Sequence, residues 1–287
     1  MASAFAPGVT ASSRPVTLPL TPRRLRGMAP AWIAAAFIVL AVGLGPWALR
    51  LDPTSIDLSA INQLPSAYHL LGTDDTGRDL LARLLAGGQV SLGVASAATV
   101  LATIWGAIYG AAAGLGQPWL DALLMRIVDA LLAFPNIVAV LIFAAIFPAG
   151  IRQLILLLAL TGWMQIARLV RGVTRDVANM PFLEAARSAG AVRTRLILRH
   201  VLPNISGVIG VAATLELTKA ILAEATVSFL GAGIHPPMPS WGNMLTNAQD
   251  YVFTAPWLAL APGVAISATV FVVFRMQEWL HLRGAAL

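Results

Sequence analysis

Ionisable side chains sit inside long apolar runs, among them Asp129 within 119–147, and Glu216, Lys219 and Glu224 within 205–230. A charge in hydrocarbon surroundings persists only where it faces protein or water, so each marks an internal contact or a hydrated route. Glu216 and Lys219 stand one helical turn apart, which permits two readings: they neutralise each other, or they line a solute path. Asp129 has Arg126 one turn earlier, and that pair can neutralise in the same way. Asp74, Asp75 and Asp79 form an acidic turn without further ligands, so they read as capping and pairing groups, with Asp79 and Arg83 as an i,i+4 pair and no metal set.

Nothing in the chain supplies catalytic machinery. There is no Gly-x4-Gly-Lys-Ser/Thr phosphate loop, no His-Glu-x2-His and no Gly-x-Ser-x-Gly. Cysteine is absent, which removes disulfides, thiolate ligands and Cys nucleophiles. His69, His200, His235 and His281 are scattered over connections and the tail. No catalytic residue, metal or cofactor is expected in this chain.

Composition dictates the elements that hold these residues. Hydrophobic residues are 58% of 287 and charged residues 11%, against about 25% charged in soluble domains. The fold class is therefore all-α, a polytopic membrane protein. Six spans are expected, near 28–49, 90–115, 119–147, 151–169, 205–230 and 256–273, each long enough to cross about 30 Å of hydrocarbon. Residues 1–27 read as a basic cytoplasmic tail, and the first run as an uncleaved span rather than a signal peptide. Gly106, Gly110 and Gly114 repeat every four residues and offer a smooth face for close packing. Leu80, Leu81, Leu84 and Leu85 suggest an interfacial helix leading into the second span. Pro236, Pro237 and Pro239 stiffen an outer loop over 231–255, with Trp241 as an interfacial anchor. The net charge of +6 follows arginines clustered in the tail and in the segment 171–204. That is the positive-inside pattern, with both termini cytoplasmic, and not a nucleic-acid surface.

The segment from Arg171 to Asn204 is the one long polar stretch between two strongly apolar runs. Asn179 can cap, and Pro181 can open, a short helix through Phe182, Leu183, Glu184, Ala185, Ala186, Arg187 and Ser188; Gly190 then offers a stop. Phe182, Leu183 and Ala186 share one side of it. A helix this short cannot bury that side alone, so it needs a partner.

These residues carry a family resemblance. Glu184-Ala185-Ala186, Gly190, then Leu202-Pro203 resembles the EAA loop of bacterial ABC importer permeases. The form Arg199-His200-Val201-Leu202-Pro203-Asn204 is similar to the dipeptide/oligopeptide/nickel branch, although His200 stands where many members carry Ile. Three further blocks resemble that branch: Leu71-Gly72-Thr73-Asp74 with Gly77-Arg78-Asp79; Met125 to Pro135; and Ala223 to Gly231 with Pro239-Ser240-Trp241-Gly242. The resemblance implies a type I importer fold and a DppC/OppC-like subunit. It also implies partners: a homologous DppB/OppB-like permease, two ATPase subunits that bind ATP and Mg, an extracytoplasmic solute-binding protein, and the bilayer. Phe182, Leu183, Glu184, Ala185, Ala186, Arg187, Gly190, Leu202 and Pro203 would couple to the ATPases. The rival class is an ion-gradient transporter with Glu216, Lys219 and Glu224 as its relay.

Overall fold

The computed structural model describes residues 29–49, 51–147 and 150–284. The tail over 1–27 and Pro148 and Ala149 of the fourth connection lie outside the described residues. Among the described residues every extended element is a helix: α1 (Ala29–Ala48), α2 (Leu80–Gly114), α3 (Pro118–Leu132), α4 (Asn136–Ile146), α5 (Ile151–Ala178), α6 (Pro181–Ser188), α7 (Ser206–Phe229), α8 (Trp241–Ala248) and α9 (Trp257–Gly284). Five of these are long and apolar enough to cross a membrane. α3 and α4 supply a sixth crossing as a pair bent by 76°. The bend falls at Pro135, whose ring cannot continue the ladder of α3.

α2 and α5 form the densest contact of the bundle. A Cβ at Gly106 would stand 2.6 Å from the carbonyl oxygen of Trp163, and one at Gly114 would stand 2.7 Å from Cβ of Thr174. Gly110 lies against the Ala167 carbonyl in the same row. The three glycines therefore let two backbones touch, as their spacing predicts. Trp163 closes the seam edge-on to Tyr109 with ring centroids 4.7 Å apart, and the Tyr109 hydroxyl donates to the Leu124 carbonyl at 3.0 Å.

α2 is longer than the expected second span. Asp79 caps it by accepting from the Ala82 amide at 2.8 Å, so the expected interfacial helix is simply its first turns. Gly87 and Gly88 do not break it, because they make room for Ser240, Trp241 and Val42. The stretch 231–255 is likewise more than a loop. It folds inward as α8, capped reciprocally by Ser240 and Asn243. Trp241 is buried there, its amide donating to Ser91 Oγ and its indole to the Leu84 carbonyl, and so it is no interfacial anchor.

Residues 51–79 make a small lobe pinned at the start of α2. Asp74 accepts from Arg78 Nε at 2.7 Å and lies 3.3 Å from Arg83 Nε, while Asp79 pairs with His69 at 2.8 Å. The expected Asp79–Arg83 pair is not formed, because capping turns Asp79 away and Arg83 reaches back to Asp74. Burial alone would raise the Asp74 carboxyl, but the Arg78 and Thr76 amides, the Thr76 hydroxyl and the Arg78 charge hold it below the usual range. Burial and the neighbouring Asp74 push Asp75 the other way.

Candidate functional site: a seated short helix and a charged cleft

α6 follows a two-residue break after α5. α5 runs on through Ala178, so Arg171 and Arg175 belong to a helix and not to a polar loop. Both reach across to Asp121 of α3, Arg171 through Nε at 2.7 Å and Nη2 at 2.6 Å. The Asn179 side chain donates to the Arg175 carbonyl and ends α5. The expected Asn179 cap is absent, because Met180 occupies the capping position and Pro181 supplies the first turn. Gly190 has φ +82°, the left-handed conformation expected of a helix stop.

The amphipathic pattern of α6 holds in part. Leu183 is fully buried among Leu196, Ile197 and Val201, and Ala186 packs at the edge of that core. Phe182 remains exposed, as do Glu184, Ala185 and Arg187. The seat itself is the helical stretch 193–204, which widens to a π-type turn over Leu196–Val201 and carries Leu202 and Pro203 into α7. Arg193 of this stretch donates to the Ala112 carbonyl near the end of α2. Thus α6 presents an exposed Glu184–Arg187 surface while its underside is tied, through one leucine and one arginine, to the membrane bundle.

The intramembrane charges separate into two environments. Glu224 is completely buried: it accepts from the Ser228 hydroxyl at 2.8 Å, and its second oxygen has no hydrogen-bond partner. Ser91 and Ser240 also surround it, so Glu224 belongs to a knot joining α7, α2 and the start of α8. Glu224 therefore sits inside the packed bundle, away from any exposed surface. Glu216 and Lys219 instead line a cleft of about 340 Å³ between α4, α5 and α7, with Asn136, Thr161 and Gln165. Lys219 donates to Gln165 and makes no direct ion pair with Glu216 among the described residues. Asp129 is exposed and pairs with Arg168 of α5 in place of the expected Arg126. Gln165 and Arg168 are the pairing residues that the sequence alone did not single out; both lie on one stripe of α5 at helical spacing.

A bundle of five or six apolar crossings, with charges gathered on one cleft and a short helix seated at its end, defines a membrane-embedded transport subunit. Residues 90–283 match the family described as binding-protein-dependent transport system inner membrane component, and the chain belongs to it. A Brucella suis biovar 1 chain named as a peptide permease is 40% identical over 238 residues, covering 82% of this chain and 79% of its own length. Another from the same organism, named as a peptide transport system permease, is 39% identical over 265 residues, 91% of this chain and 89% of its own. The oligopeptide transport system permease protein OppC of Haemophilus influenzae is 35% identical over 241 residues, 83% of this chain and 78% of its own. The ABC importer permease membership implied by the motif blocks stands, and with it a multi-pass inner-membrane component.

Proposed function

We propose that this chain is one of two permease subunits of an ATP-driven importer of peptides or related small solutes, with nickel or other metal chelates in the same substrate range. α6 docks in a groove of a separate ATPase subunit. ATP and Mg are bound by the two ATPases, and this chain contributes no hydrolytic site. A second, homologous permease completes the path, and an extracytoplasmic binding protein delivers the solute. The observation that carries this reading is α6 itself: an exposed Glu184–Arg187 surface held from beneath by Leu183. The peptide names of the relatives support the solute class.

Alternating access follows from the ties under α6. When ATP closes the ATPase pair, α6 moves with its groove. Leu183 and Arg193 pass that movement to the stretch 193–204 and to the end of α2, while Asp121 with Arg171 and Arg175 keeps α3 and α5 together. In the membrane, α6 and both termini face the cytoplasm and the lobe 51–79 faces outward.

The test is Ala186→Trp. A large ring at the edge of the seat blocks close approach of a partner while the spans stay inserted. Pull-down of the ATPase subunits should fail at normal membrane abundance. Full recruitment and uptake in this variant would remove α6 as the docking element. Orientation is read with single cysteines in this cysteine-free chain: Phe253→Cys, 98% exposed in the wild-type residue, should react with an external impermeant reagent.

A further inference from the structure

Glu216 is only 7% exposed, lies near the middle of α7, and has no hydrogen-bond or ion-pair partner among the described residues. An intramembrane carboxyl without an ion-pair partner takes up a proton, faces water, or meets a partner from outside the chain. Gly162 of α5 lies against the Glu216 carboxyl, in a place that a Cβ could share only if that carboxyl moved. One turn along α7, Lys219 is exposed and is held by the uncharged Gln165 alone. A positive group that spans this depth cannot face lipid, so this side of α7 looks onto water or a polar passenger. The cleft thus offers one negative and one positive group, with Gln165 on Lys219 and with Asn136, Thr161 and Thr226 as further polar groups on its wall.

We propose that Glu216 and Lys219 form a transit site for zwitterionic solutes. Glu216 receives the solute's ammonium group, and Lys219 receives its carboxylate in exchange for Gln165. The proposal rests on the peptide-importer reading above and names the groups by which the path handles charged chain ends. Two opposite charges that neutralised each other would give a passenger nothing; held apart, each can replace the water that a charged terminus sheds on entering the membrane.

The experiment uses the complete transporter in proteoliposomes, with its partner permease, ATPases and binding protein, and dialanine as the probe. Glu216→Gln and Lys219→Gln should each lower dialanine uptake by about tenfold, the scale of one lost hydrogen bond to a charged group. The double variant should be no better than either single one, whereas a merely neutralising pair would be rescued by it. Membrane abundance and co-purification with the ATPases establish that each variant assembles. In a Thr226→Cys background, dialanine during ATP turnover should slow labelling by a thiol reagent, because Thr226 lines the same cleft. Wild-type uptake in Glu216→Gln, rescue in the double variant, or labelling indifferent to dialanine overturns the transit site and leaves the importer reading intact. A wild-type complex that neither transports dialanine nor hydrolyses ATP faster in its presence overturns both.

Discussion

The seam between α2 and α5 and the seat of α6 are built on opposite rules. Along the seam, glycines bring two backbones into contact, and at Gly106 and Gly110 the nearest obstacle to an added carbon is a carbonyl oxygen that cannot turn aside. At the seat, one fully buried leucine joins the core that holds Leu196, Ile197 and Val201, Ala186 packs at its edge, and most of α6 stays in solvent. The seam distributes its attraction over many small contacts, so no single truncation weakens it much, but any enlargement does. The seat concentrates its attraction in one side chain, so truncation there is severe and enlargement at its neighbours is tolerated by the fold. A part that must move with a partner can be held this way; a part that must stay rigid cannot.

Gly110→Leu should break the comparison on its rigid side. A Cβ there already meets the Ala167 carbonyl and stands 2.9 Å from Cβ of Val170, so the cost should reach at least about 3 kcal/mol, the upper range for overpacking. Membrane abundance should collapse; a variant that accumulates and melts like wild type would show that the seam can open. Leu183→Ala addresses the other side. It should cost about 2–5 kcal/mol, but locally. Hydrogen exchange over 181–191 should rise while α2 and α5 remain protected, and uniform loss of protection would make α6 part of the rigid body.

Asp121→Asn tests the tie between α3 and the end of α5 that leads to the seat. It leaves Arg171 and Arg175 without their carboxylate and should cost about 1–2 kcal/mol, since both arginines are partly exposed. Exchange should rise at the end of α5 before it rises along the seam. The smallest effects belong to the lobe 51–79, and they should have opposite signs. The folded Asp74 carboxyl is depressed, so it contributes stability above its unfolded pKa that is lost as pH falls through the folded value, below the ordinary carboxylate range. Asp74→Asn should therefore lower the thermal midpoint at neutral pH. Asp75 is raised, so its ionised form opposes folding there, and Asp75→Asn should raise the midpoint slightly. Equal shifts of the same sign would mean the two carboxylates act as one group.

The difference between seam and seat also marks what the sequence discloses. Spacing alone locates Gly106, Gly110 and Gly114 on one face, and the order Pro181, Leu183, Gly190 outlines α6 and its stop. What spacing cannot disclose is choice among partners. Asp129 has Arg126 within a turn but takes Arg168 from another helix, Arg83 passes over Asp79 for Asp74, and Lys219 takes Gln165. Neighbours at i+3 or i+4 are always available to inspection, whereas partners across a helix interface appear only once the packing is known. Trp241 failed as an interfacial anchor for the same reason, since its partners Ser91 and Leu84 lie far away in the chain.

α2 has a consequence that follows from its length. Its 35 residues contain no proline and extend about 52 Å, well beyond hydrocarbon about 30 Å thick. One end meets Arg193 beneath α6, and the other is gripped by Asp74 and Asp79 of the lobe 51–79. An unbroken rod of that length behaves as a lever arm. A tilt of about 10° about one end carries the other end about 9 Å, by the geometry of the helix rise. The two faces of the membrane are thereby joined by a single piece of secondary structure, and displacement can pass between them without a chain of rearranging side chains.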